Sequence, residues 1–290
     1  MKIKWLDVDD DVKREAKPLL KQVEPLLPSD MLIAVTCDFS RYLSLVTPRN
    51  FLNFTGDDLL SNIEKYVPQG AYVVKGIAVI YVPSATRIKA ELPDCTADII
   101  SRMQTRPILA HELSHIVVFE KINYDIAPKF IIPYYKATEE IFDFIYHVDT
   151  FLFGTLKDAA ADALAVEIFP DYREALDQVD RSILSKVNLK KLDFKKAAVR
   201  EILELQKKLL LLLHSELTAS GRETCDPKIT ELRQKFVKTM SRKSAAEFTL
   251  YLCNKYIVPF LRKKGFSFIK VEEEEDTRGL LIDSVYFELE

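Results

Sequence analysis

The sequence predicts an α+β fold: an N-terminal mixed sheet packed on one apolar helix, then a mainly helical part closed by a β-hairpin. Three observations predict it. Short β-branched runs with little helical period fill much of the first 82 residues. From Asp193 onward the apolar residues recur at helical spacing, and residues 266–289 hold two strand-like runs parted by acids. At 290 residues the chain can bury a large core. The expected division is a catalytic domain over 1–192 and a helical region over 193–290 that can pack as part of it.

Taken in order, residues 2–8 read as a strand and 11–27 as a helix. The helix presents Val12, Ala16, Leu19, Leu20 and Val23 on one face and is broken by Pro25 and Pro28. Residues 31–39 and 42–47 read as two strands joined by a tight turn, 57–66 as a short helix, and 71–82 as one long strand closed by Pro83. Within it, residues 76–81 are a candidate edge strand that can hold an extended peptide through main-chain hydrogen bonds. Residues 123–135 read as a loop with Pro128, Pro133 and four aromatics; packing is the expected role of Tyr124, Tyr134 and Tyr135.

Further on, Thr138 caps a helix reaching about Phe153, Gly154 interrupts it, and a second helix starts at Thr155. Residues 194–219 carry Val199, Ile202, Leu205, Leu209 and Leu213 at helical spacing. Asp226 and Pro227 open another helix, and Ser244-Ala-Ala-Glu247 reads as a capping box for a third, kinked at Pro259 and ended by Gly265. Residues 266–271 and 280–289 form the hairpin, with the acids of 272–276 in its turn. The basic run Lys186 to Arg200 reads as a solvated helix face.

Lys plus Arg number 41 against 44 acids, a net charge of -3, so no global basic field points to nucleic acid. Residues 1–10 lack the apolar core of a signal peptide, and no window approaches 18 uncharged apolar residues. A cytoplasmic protein with no membrane insertion is expected. Cys37, Cys95, Cys225 and Cys253 are far apart and read as buried thiols, not as a zinc knuckle or a disulfide framework.

The chemistry lies in residues 105–119. Of the four histidines in the chain, His111 and His115 share a His-Glu-x-x-His pattern inside a helix. Residues four apart stand one above the other, so both imidazoles can reach one ion. Glu112 sits about 100° around from His111, placed to address a water and not to ligate, which makes it the candidate general base. Thr105 can cap this helix and Pro107 falls in its first turn; the apolar run Ile116 to Phe119 marks it as buried.

A catalytic zinc site needs three protein ligands and an open position. Residues 157–170 read Lys-Asp158-Ala-Ala-Ala-Asp162-Ala-Leu-Ala-Val-Glu-Ile-Phe-Pro, with two acids on one face among alanines. Asp158 is the candidate third ligand, and Asp162 the acid that accepts the second N–H of His111 or His115. Two rival readings stand beside it. Asp158 can instead complete a capping box opened by Thr155, and Glu139, which shares the four-residue spacing with Asp143, is the alternative third ligand. His147 and His214 read as hydrogen-bonded core or rim residues.

His111-Glu112-Leu-Ser-His115 followed by Asp158-Ala-Ala-Ala-Asp162 resembles the zincin metallopeptidases, specifically the gluzincin group. In the thermolysin-like and CAAX-processing zinc proteases the third ligand is a Glu on a later helix, followed four residues on by an Asp. The chain matches at Asp162 and departs at Asp158, where Asp shortens the arm by one methylene. Aspzincins do use an Asp there, within a different overall pattern. The resemblance covers roughly residues 71–170. It implies a zincin-like fold and a zinc-dependent peptidase with a peptide or protein substrate. Lacking membrane spans, the chain does not inherit the CAAX substrate class. A non-catalytic zincin-fold scaffold or partner-binding protein, and a zinc hydrolase of non-peptide amides, are the other expectations.

Overall fold

The structure is a computed structural model and describes residues 1–46, 70–74, 76–82, 105–179, 197–218, 226–276 and 279–290. The α+β class holds: helices alternate with two mixed sheets, ordered β1-β2-β4-β3 and β5-β7-β6. The chain divides into two compact units, Met1–Lys121 with Ile168–Ala175, and Ile122–Glu167 with Leu176–Glu290. The expected boundary at 192, the helix over 57–66, Cys95, Cys225 and the basic run from Lys186 to Lys196 lie outside the described residues.

In the first unit, β1 (Lys2–Leu6) leads into α1 (Asp10–Val23) and β2 (Leu32–Thr36). The five apolar positions expected along α1 are all buried, and Asp10 and Asp11 in its first turn suit the positive end of the helix dipole. β2 is an interior strand with Ile33, Ala34, Val35 and Thr36 all buried, as a strand covered on both faces requires.

Two expectations fail in this unit. Residues 39–46 form a helix, α2 (Phe39–Val46), where a strand was expected. Asp38 decides it: its Oδ1 accepts the Arg41 N–H at 2.8 Å, satisfying a donor that opens a helix. The long strand over 71–82 is instead a hairpin of β3 (Gly70–Val74) and β4 (Ile77–Tyr81), antiparallel to each other. Gly76 takes φ +78° at the turn, a conformation only glycine adopts without strain. β4 therefore lies between β2 and β3, so the candidate edge strand over 76–81 is interior and β3 is the edge. α3 (Thr105–Val117) begins at Thr105 itself and packs on α1 and β3.

In the second unit, residues 123–135 are largely strand and not loop: β5 (Asp125–Ile131) pairs parallel with the last strand. Tyr134 and Tyr135 are 97% and 81% exposed, against the packing expected of them, while Tyr124 is buried and hydrogen-bonds Thr249. α4 (Glu139–His147), a wide π turn over Val148–Phe153 and α5 (Gly154–Ile168) follow without a break. Thr138 caps α4, accepting from the Ile141 N–H, but Gly154 has right-handed helical angles and interrupts nothing. α6 (Tyr172–Val179), whose residues up to Ala175 belong to the first unit, is amphipathic, and α7 (Ala197–Thr218) buries Val199, Ile202, Leu209 and Leu213.

α8 (Pro227–Thr239) is capped by Asp226 as expected. α9 (Arg242–Leu252) starts earlier than the capping-box pattern implied: Ser241 caps it, and Ser244 lies in its first turn. After a π turn comes α10 (Val258–Lys263), with Pro259 in its first turn, then Gly265 at φ +85°. β6 (Phe266–Glu275) and β7 (Leu281–Leu289) form the hairpin, but Glu272 to Glu275 belong to β6, and beyond them the Asp276 N–H donates to the Leu280 carbonyl at 2.9 Å. Glu274 accepts hydrogen bonds from Ser284 and Tyr286 across the pair, which gives these acids partners in the strand. Arg242 ties α9 to both strands through Glu273 and Asp283, each at 2.6 Å.

Candidate metal centre

α3 is buried on almost every side: Ile108, Leu109, Ala110, Leu113, Ile116 and Val117 are all closed to solvent, along with Glu112 and Ser114. No Gly or further Pro breaks it, and the Ser114 hydroxyl is satisfied by donating to the Ala110 carbonyl. A straight, packed helix is what gives His111 and His115 a fixed relation. Their Nε2 atoms lie 3.0 Å apart, with the rings nearly perpendicular at 85°. Two nitrogens bound to one tetrahedral zinc at 2.0–2.1 Å stand about 3.3 Å apart. The observed 3.0 Å is close to that spacing and is also the length of an N–H···N hydrogen bond between the two rings. Phe119, one turn on, stacks on His115 at 6.0 Å between centroids.

Glu112, 3% exposed, is closed in beside them. Burial pushes the Tyr42 hydroxyl up from its ordinary range, and the negative charges of Glu112 and Tyr72 push it further. Tyr42 on α2 is therefore an electrostatic neighbour of the candidate base. It packs against Phe39 and Tyr81, which fixes its ring.

Asp158 is half-buried on α5. The capping-box reading of it is removed, because Thr155 is inside the helix and its hydroxyl donates to the Phe151 carbonyl at 2.7 Å. Among the described residues, His111 and His115 of the first unit and Asp158 of the second are the donors that could hold a metal ion. Two imidazoles and a carboxylate are a donor set that suits zinc. Asp162, one turn after Asp158 and 5% exposed, faces His214 with Oδ2 3.7 Å from Nε2. Glu139, the alternative ligand, is exposed in the first turn of α4, where it suits the helix dipole and takes no part in that group. His147 is held on its own helix by the Asp143 carbonyl at 2.6 Å and the Asp143 carboxylate.

One residue near this pair was not expected. Tyr172, in the segment after α5, places its hydroxyl 3.1 Å from His111 Nδ1. Its sequence signal is slight: a tyrosine just past the Phe169-Pro170 stop of the acidic helix. Asp171 beside it pairs with Arg106 from the first turn of α3 at 3.1 Å, which ties the segment to the histidine helix.

No protein-family model, no curated protein and no solved structure matches the chain. No helix among the described residues is long and apolar enough to cross a membrane.

Proposed function

We propose that the chain is a zinc-dependent metallopeptidase of zincin-like fold, acting on a peptide or protein substrate. The observation that carries this reading is the convergence of the His111 and His115 Nε2 atoms, 3.0 Å apart, from a buried helix that also holds Glu112. Asp158 completes the donor set. When bound, zinc supplies a water of near-neutral pKa and polarises the scissile carbonyl. Glu112 takes the water proton and delivers it to the leaving amine.

Elemental analysis of the untagged protein, beside His115→Ala and Asp158→Ala, tests the reading. About one zinc per chain is expected, lost in both variants, with Glu112→Gln retaining metal but cleaving nothing. A wild-type protein that holds no metal after zinc is supplied overturns the peptidase and leaves a non-catalytic scaffold.

A further inference from the structure

Two imidazoles that share one ion through Nε2 must both carry their remaining proton on Nδ1, and that proton needs an acceptor. In metal sites the acceptor is usually a carboxylate, a carbonyl or a water, and it decides both tautomer and ring orientation. For His111 the atom facing Nδ1 is the Tyr172 hydroxyl, at 3.1 Å. A phenol can accept or donate. If it donates, the His111 proton moves to Nε2 and points at His115, and His111 cannot ligate through that atom.

We infer that Tyr172 accepts the His111 Nδ1–H and is a positioning residue for the metal site, an inference that rests on the proposed metal reading. The residue is built for this. It is 6% exposed, its ring lies nearly parallel to the His111 ring at 28° with centroids 6.5 Å apart, and its backbone N–H bonds the Phe169 carbonyl at 3.0 Å.

Tyr172→Phe removes the oxygen and keeps the ring. Zinc affinity by competition with a chelator is expected to fall about 10–100-fold, with full loading recovered at high zinc and the apo melting midpoint close to wild type. Proton–nitrogen NMR of the zinc-loaded wild type should show a hydrogen-bonded His111 Nδ1–H that shifts in Tyr172→Phe, while the His115 signal stays. Asp171→Ala, which loosens the segment and spares the hydroxyl, should change affinity less than about threefold. Equal affinity in Tyr172→Phe with an unshifted His111 signal overturns the inference and leaves the metal site standing. So does an Asp171→Ala loss as large as that of Tyr172→Phe, since packing alone then explains both. A wild type that binds no zinc takes down the metal reading itself, a result distinct from either.

Discussion

The molecule places imidazoles beside polar partners in two different ways. On α3 the two rings are half-exposed and turn their Nε2 atoms on each other, while a phenol holds the outer nitrogen of one. On α5 and α7 a single imidazole, His214, is sealed with a single carboxylate, Asp162, each 5% exposed. The residue types are similar and the consequences differ. Nitrogens that face each other compete for a proton and gain from a shared cation; an imidazole beside a carboxylate already has a complementary partner. A donor cluster reads as a metal centre when its ligand atoms converge and solvent can reach it, and as a structural pair when an imidazole and a carboxylate are closed in together.

The contrast breaks first on stability. His214→Ala removes one member of a buried pair and leaves a cavity, so it should cost about 3 kcal/mol by urea denaturation. His111→Ala in the metal-free protein should cost under about 1 kcal/mol, because a half-exposed ring loses little buried area. Comparable losses in the two variants would dissolve the distinction.

Zinc sharpens the same contrast with a somewhat smaller effect. An ion that binds only the folded chain, at a hundredfold over its Kd, adds about 2.7 kcal/mol of stability. That gain should appear in the wild type and persist in His214→Ala, raising both melting midpoints, and vanish in His115→Ala. Zinc stabilisation of His115→Ala would place the ion elsewhere.

How much of this was legible depended on how local the cause is. The α1 stripe and the closeness of the two histidines follow from spacing within one helix: the stripe is buried, and the two Nε2 atoms lie 3.0 Å apart. α2 was lost because residues 42–47 alternate as a strand would, and the deciding atom, Asp38 Oδ1, lies four residues before that run. β5 was taken for a loop on the strength of Pro128. An edge strand tolerates a residue with no N–H to donate, and β5 is an edge in the order β5-β7-β6. The capping-box pattern points to Ser244, with Glu247 three residues on, whereas the cap is Ser241, which has a serine at that place and accepts the Ser244 N–H. Tyr172 lies 61 residues from its partner His111, a contact no periodicity encodes.

The smallest effect is one of reactivity. If the buried groups of the second unit are closed off where the α3 imidazoles are half-exposed, those buried groups should be inert in the folded state. Burial pushes the Cys253 thiol up to about 12, and its side chain is 1% exposed. At pH 8 the thiolate, which is the nucleophile, is then on the order of one part in ten thousand. Mass-spectrometric mapping after brief treatment of the metal-free protein with iodoacetamide and a histidine-acylating reagent should find His111 or His115 modified and Cys253 and His214 untouched. Added zinc should protect the first two, because the lone pairs that attack the reagent would be held by the ion. Rapid labelling of Cys253 without denaturant would mean that the second unit opens as readily as the surface around α3, and the division into an open centre and a closed pair would fall.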